Sequence, residues 1–125
     1  MAEADDQPHI KGIRFMGGSR KALVDLSPEV RKSFGHGIRE AQNGLKPTAA
    51  KPLPQFGSRV FELIKDYDKD TFRCNIYVSK NFVYILAPYM KKSKKGKEIP
   101  AEILTLTSER LAKAKELEAF EQITL

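Results

Sequence analysis

From Thr71 to Ser79 the chain alternates strictly, with Phe72, Cys74, Ile76 and Val78 at one parity and Thr71, Arg73, Asn75, Tyr77 and Ser79 at the other. A two-residue period belongs to a β-strand, whose successive side chains leave opposite faces of a sheet. The segment is therefore predicted to be a strand with one core face and one polar face. Lys80 and Asn81 supply a turn, and Phe82 to Tyr89 is apolar at both parities, as a central strand covered on both sides would be. A further strand, Val60 to Lys65, precedes them across the polar stretch Asp66 to Asp70. Three strands joined by short turns predict an antiparallel meander, around which the remaining elements must be arranged.

Upstream, Ile10 to Met16 reads as a short edge strand stopped by Gly17 and Gly18, and Ser19 is placed to cap a short helix to Leu26. Ser27 followed by Pro28 marks a second helix start. Its apolar positions Val30, Phe34, Ile38, Ala41 and Leu45 recur at helical spacing, and Asn43-Gly44 supplies a left-handed stop. These two helices predict a helical hairpin. The three prolines between Lys46 and Gly57 predict a connection without regular structure, long enough to pack on the sheet or meet a partner. Ile99-Pro100 opens a last helix through about Phe120. Its ragged stripe of Leu104, Leu111, Ala114, Leu117 and Phe120 can cover the sheet or dock on a second protein. Residues 1–9 read as a flexible tail, and residues 10–121 as a single α+β domain: a small antiparallel sheet with an N-terminal helical hairpin and a C-terminal helix.

A chain of 125 residues is one domain by length, too small for a two-domain enzyme with a cofactor fold. Its longest apolar runs, such as Phe82 to Pro88, fall well short of the roughly 18 residues that suggest a transmembrane helix, and the first residues hold no apolar leader. No membrane association is expected, and the cytoplasm is the expected compartment. Cys74 is the one cysteine, which rules out an intramolecular disulfide and suits a small buried hydrophobe. Two separated histidines give no metal-ligand spacing, so neither metal nor cofactor is expected.

Charge is distributed less evenly. Residues 91–97, KKSKKGK, hold five lysines and no acid, and so account for five of the six net positive charges of the chain. A basic cluster where a strand ends is suited to a polyanion, above all RNA phosphates.

The loop KPLPQFG (Lys51 to Gly57), the strand VFEL (Val60 to Leu63), the segment TFRCNIYV (Thr71 to Val78) and the strand ending YILAPYMKKSKK (Tyr84 to Lys95) occur in this order. In these features, over roughly residues 11–118, the chain resembles the RelE/HigB-like toxins of bacterial type II toxin–antitoxin modules, closest to their phage-derived HigB-like branch. The resemblance implies a RelE-like fold and a toxin that cleaves mRNA, usually on the ribosome, without metal or cofactor. It also implies a small cognate antitoxin as partner, often one with a helix-turn-helix domain. By position, Arg73 matches the strand arginine that faces the scissile phosphate. Lys91 and Lys92 match the basic pair at the end of the last strand, and Tyr89 the aromatic residue before them.

RNA is cut without a metal when its own 2′-hydroxyl attacks the adjacent phosphorus, a base takes the proton, an acid protonates the leaving oxygen and cations hold the phosphorane charge. Arg73, on a strand face expected to be exposed, offers a planar fork for phosphate. Crowding within the lysine cluster lowers the affinity of a lysine for its proton, which makes Lys92 the first candidate base and Lys91 the second. Tyr89 is placed to stack on a base or donate a proton. Lys94, Lys95, Lys97, Lys65 and Tyr77 are further RNA-binding candidates, with Lys51 and Arg59 behind them. His36 is a weak catalytic candidate, and His9 belongs to the tail. Two other functions fit the same residues: a noncatalytic RNA- or ribosome-binding module, in keeping with Ala87-Pro88 and Ile64, and a toxin directed at DNA gyrase.

Overall fold

The computed structural model describes residues 10–91 and 99–124. Its centre is a five-stranded mixed sheet of β1 (Gly12–Phe15), β2 (Ala50–Pro52), β3 (Val60–Tyr67), β4 (Asp70–Val78) and β5 (Phe82–Lys91), in the order β1-β5-β4-β3-β2. The meander β3-β4-β5 is antiparallel as its alternation predicts, and β1 adds to β5 in parallel. Helices α1 (Ser19–Val24) and α2 (Pro28–Gln42) precede β2, and α3 (Ala101–Thr124) ends the described chain. The result is the expected α+β architecture, consistent with a RelE-like fold. Among the described residues, no helix is long and apolar enough to cross a membrane.

The helices cover the sheet from both sides. Val30, Phe34, Ile38 and Ala41 of α2 pack on Leu63, Cys74, Ile76, Val83 and Ile85. On the other face Leu111 and Ala114 of α3 meet Tyr77, Tyr84, Leu86, Ala87 and Tyr89. The second layer corrects one expectation: the polar parity of β4 is not open to solvent. Asn75 is fully buried there and donates to Thr107 of α3 at 3.1 Å, and the Arg73 side chain is only 13% exposed. Period alone distinguishes the two faces of a strand but does not show what covers them.

A bulge in β5 decides which residues share the α3 face. Asn75 stands opposite Ala87 and Ile76 opposite Ile85, leaving Leu86 as the extra residue. Tyr84 and Tyr89 are five positions apart and would point oppositely on a regular strand. The added residue turns both toward α3. Arg110 Nη1 donates to the Leu86 carbonyl at 2.7 Å, supplying a partner at the irregularity.

Several local expectations shift. The proline-rich connection is not wholly irregular, because Ala50–Pro52 pairs with Phe61–Leu63 as an edge strand and Pro54–Phe56 forms a 3₁₀ turn. Proline is tolerated at an edge, where its missing N–H breaks no ladder bond. Leu45 lies beyond the end of α2 and is 61% exposed, since Gly44 at φ +78 has already turned the chain away. Gly18, and not Ser19, occupies the cap position of α1, and Ser27 caps α2 by backbone geometry without a side-chain hydrogen bond. The β3–β4 turn is tighter than the stretch Asp66 to Asp70: only Asp68 and Lys69 turn, at φ 52 and 72, the left-handed pair that suits the twist of a two-residue hairpin. Helix α3 runs beyond Phe120, which is 63% exposed and so lies off the covering stripe.

Candidate functional site

Register brings four side chains together at one end of the α3 face. Lys51 on β2 stands opposite Glu62 on β3, and Arg73 on β4 stands opposite Tyr89 on β5. Glu62 is the hub. Its carboxylate is fully buried and accepts from Arg73 Nη1 at 2.6 Å (to Oε1) and from the Tyr89 hydroxyl at 2.8 Å (to Oε2). The Lys51 ammonium lies 3.6 Å from Oε1 and is the solvent-facing member, 40% exposed. A carboxylate out of water is tolerated only with such partners, and charge-assisted bonds to both oxygens offset its desolvation.

Burial pushes the Tyr89 phenol up, and the hydrogen bond and negative charge of Glu62 push it further, against a smaller opposing effect of Arg73. Tyr89 is thus held as a neutral donor. Cys74, on the α2 face of β4, is also raised, by burial first and by the Glu62 charge second. Two buried polar atoms on the α3 face, Arg73 Nε and Asn75 Oδ1, have no hydrogen-bond partner among the described residues. Such atoms are rare in a finished interior and leave capacity for water or ligand.

The residues singled out in the sequence divide. Arg73 and Tyr89 come together, on Glu62. Lys91 is buried at the end of β5, opposite Thr71 and two residues beyond Tyr89 on the same face. Lys92, Lys94, Lys95 and Lys97 lie outside the described residues. Lys65 has the opposite parity to Glu62 and lines a cleft of about 510 Å³ between α2 and β3, together with His36 and Glu40. Tyr77 shares the face of Arg73 but belongs to another cluster. Its hydroxyl donates to Glu118 of α3 at 2.7 Å, its ring stacks on Tyr84 at 5.8 Å, and burial with the Glu118 bond pushes it up to about 12. Arg59 Nη2 is 3.5 Å from that hydroxyl.

Sequence reasoning missed Glu62 as a functional group. A signal was present, since an acid inside the apolar run Val60 to Ile64 on a strand with covered neighbours must find a cationic partner if it is buried. Among the described residues, no three His, Cys, Asp or Glu side chains gather as metal ligands would.

No curated protein matches the chain. The family model described as phage derived protein Gp49-like (DUF891) matches residues 21–112, from α1 through the meander and into the middle of α3, the span that contains Lys51, Glu62, Arg73 and Tyr89. The chain belongs to the phage-derived Gp49-like (DUF891) family.

Proposed function

We propose that this protein is the toxin of a type II toxin–antitoxin module, of the RelE/HigB-like kind, and that it cleaves mRNA on the ribosome without a metal. The observation that carries the reading is the Glu62 carboxylate held by Arg73 and Tyr89, with Lys51 at the solvent side. The family, associated with toxins of such modules, supports the toxin part of it.

In this reading a phosphate enters past Lys51 and takes the Arg73 guanidinium as its partner. The freed Glu62 carboxylate accepts the proton of the adjacent 2′-hydroxyl. The 2′-oxygen bonds to phosphorus, the bond from phosphorus to the 5′-oxygen breaks, and the departing oxygen takes a proton, leaving a 2′,3′-cyclic phosphate and a 5′-hydroxyl end. Tyr89 donates a hydrogen bond to the site. Its raised pKa suits holding a proton better than releasing it, so the leaving oxygen draws its proton from water or from a basic residue, with Lys91 and Lys92 as the candidates. Lys92 remains the competing base. Ribosomal RNA positioning the message would supply order that the site lacks alone. The neutralising partner is a small antitoxin with a helix-turn-helix domain, and the expected compartment is the cytoplasm.

The experiment is transcriptome-wide mapping of RNA 5′ ends after a brief pulse of expression, with Arg73→Ala and Glu62→Gln proteins as controls. New ends within translated frames that vanish in both variants support the reading. Their persistence in folded variants overturns the assignment of the site. A second reading, a noncatalytic RNA- or ribosome-binding module, draws on the same pair: Glu62 neutralises Arg73 as a purely structural ion pair would, with only 13% of the arginine exposed. It predicts RNA binding with no new ends. DNA damage without message cuts would point to gyrase.

A further inference from the structure

On the opposite, α2 face of the sheet from Glu62, the start of β1, the end of α2 and the β4–β5 turn enclose a groove of about 570 Å³, with Phe61, the neighbour of Glu62 on β3, in its floor. Three lysines line it from three separate segments: Lys11 before β1, Lys46 after α2 and Lys80 in the turn. Among the described residues, no acid lines it. Lys11 is not loosely placed, because its ammonium donates to the Lys80 carbonyl at 2.7 Å and its own carbonyl accepts from the Gln42 side chain at 2.8 Å. Arg59 also borders the groove, but its guanidinium reaches the Tyr77 hydroxyl and is not counted with the lysines. Between the cations lie apolar surfaces, the exposed Leu45 and the half-buried Phe61 and Val78.

Three cations brought together with no acid among the described lining residues repel one another, a cost to the folded state that an anion would remove. We infer that this groove is a second RNA-binding site, which takes single-stranded RNA with phosphates against Lys11, Lys46 and Lys80 and a base on the apolar floor of Leu45 and Phe61. Its volume accommodates a nucleotide. The strand residues that line it, Phe61 of β3 and Val78 of β4, are already paired on both sides, and ahead of the edge strand β1 the Lys11 N–H donates to the Gln42 carbonyl at 2.9 Å, so an extended polypeptide would find no free strand edge at these residues. A phosphodiester needs none, and cationic walls beside an apolar surface are the means by which single strands are held without sequence readout. The site is distinct from the Glu62 cluster, so one RNA can be held at the rear of the sheet while another segment is presented to the front.

The inference rests on the RNA reading of the chain, and its test separates the two. The probe is a fluorescent twelve-nucleotide 2′-O-methyl oligouridine, which has no 2′-hydroxyl to attack and cannot be cut. Its affinity for the full chain is measured by anisotropy over a salt series, for the natural protein and for Lys11→Gln/Lys46→Gln/Lys80→Gln. The triple variant is expected to bind roughly tenfold or more weakly near 0.1 M salt. Its log–log salt slope should be shallower by about 2, three contacts at about 0.7 each. Amide NMR signals of Gly44 and Ser79 should shift on adding the probe to the natural protein. Unchanged affinity and slope, with those amides unmoved, would overturn the inference, whatever the RNA-end mapping shows. So would movement of the same amides by poly-L-glutamate and not by the oligonucleotide, which would assign the groove to an acidic protein. If the triple variant fails to fold by circular dichroism, the exposed single changes Lys46→Gln and Lys80→Gln carry the test, each expected to flatten the slope by about 0.7.

Discussion

Arg73 on β4 and Glu62 on β3 form an ion pair of 2.6 Å in which the carboxylate has no exposed surface and the arginine very little. The two are not directly opposite, since Arg73 faces Ile64 and Glu62 faces Asn75 in the register. The bond is therefore a diagonal one across two strands. It ties together the positions from which Lys51 and Tyr89 also converge, so the same contact is both a structural tie and the centre of the candidate site.

These two roles separate by substitution. Removing one partner strands the other charge, and Arg73→Ala or Glu62→Gln is expected to destabilise the fold by about 3–5 kcal/mol. Replacing both by apolar side chains of similar volume, Glu62→Leu with Arg73→Met, should recover most of that loss, because no unpaired charge remains from the pair. Urea unfolding of the four proteins gives the cycle. Recovered stability together with absent RNA cleavage would show that the pair is kept for chemistry, whereas a double variant as unstable as the singles would mark it as a structural necessity.

Alkaline pH should weaken the fold through three tyrosines. Tyr77 is raised to about 12, and Tyr84 and Tyr89 are raised as well, each by burial first and by a bonded carboxylate second. A group raised in the folded state contributes stability that is complete below its unfolded value, near 10, and is lost as pH climbs through the folded one. Between pH 10 and 12 stability should fall by up to about 1.4 kcal/mol per pH unit for each tyrosine. Thermal melts across that range test this, and Tyr84→Phe should flatten the decline.

Much of the fold could be read from periodicity. The alternation of Phe72 to Val78 and the helical spacing of Val30, Phe34 and Ile38 each locate a real element and its buried side, because each period reports a face that must be hidden. The site was half legible: Arg73 and Tyr89 were singled out and do meet. Their mutual partner was not, because Glu62 lies eleven residues before Arg73 and only strand pairing closes that distance. The parity of Tyr89 was equally hidden, since one extra residue at Leu86 reverses it and no local residue pattern announced the bulge. Nor could the strand period foretell that α3 would lie over the polar side of β4.

The bulge has its own test. Arg110 supplies a donor to the Leu86 carbonyl and lies over Gly17, where φ is +54 and an added Cβ would come within 2.7 Å of the guanidinium. Arg110→Met keeps much of the packing but removes the donor, and is expected to cost about 1–3 kcal/mol. Gly17→Ala should be destabilising for two reasons, backbone strain at a left-handed angle and the collision. Chemical denaturation of both proteins decides this, and an unchanged midpoint for Arg110→Met would mean that solvent satisfies the carbonyl equally well.

Cys74 reports on whether the sheet opens. It is fully buried beneath α2, and burial, followed by the charge of Glu62, pushes its thiol well above the ordinary range, so almost no thiolate is present in the folded protein. Because the thiolate is the reacting species, a disulfide reagent such as DTNB should leave the native protein unmodified at neutral pH and react fully in denaturant. The slow native rate should then follow unfolding. Glu62→Gln should accelerate it by lowering stability, whereas the Glu62 charge, which acts on the thiol only in the folded state, adds nothing once the sheet has opened. Labelling at different reagent concentrations separates the contributions: a rate independent of reagent is set by opening, and one proportional to reagent reflects the thiol in its open equilibrium. Rapid labelling of the native protein without denaturant would contradict the packing of α2 on β4 on which the whole α2 face depends.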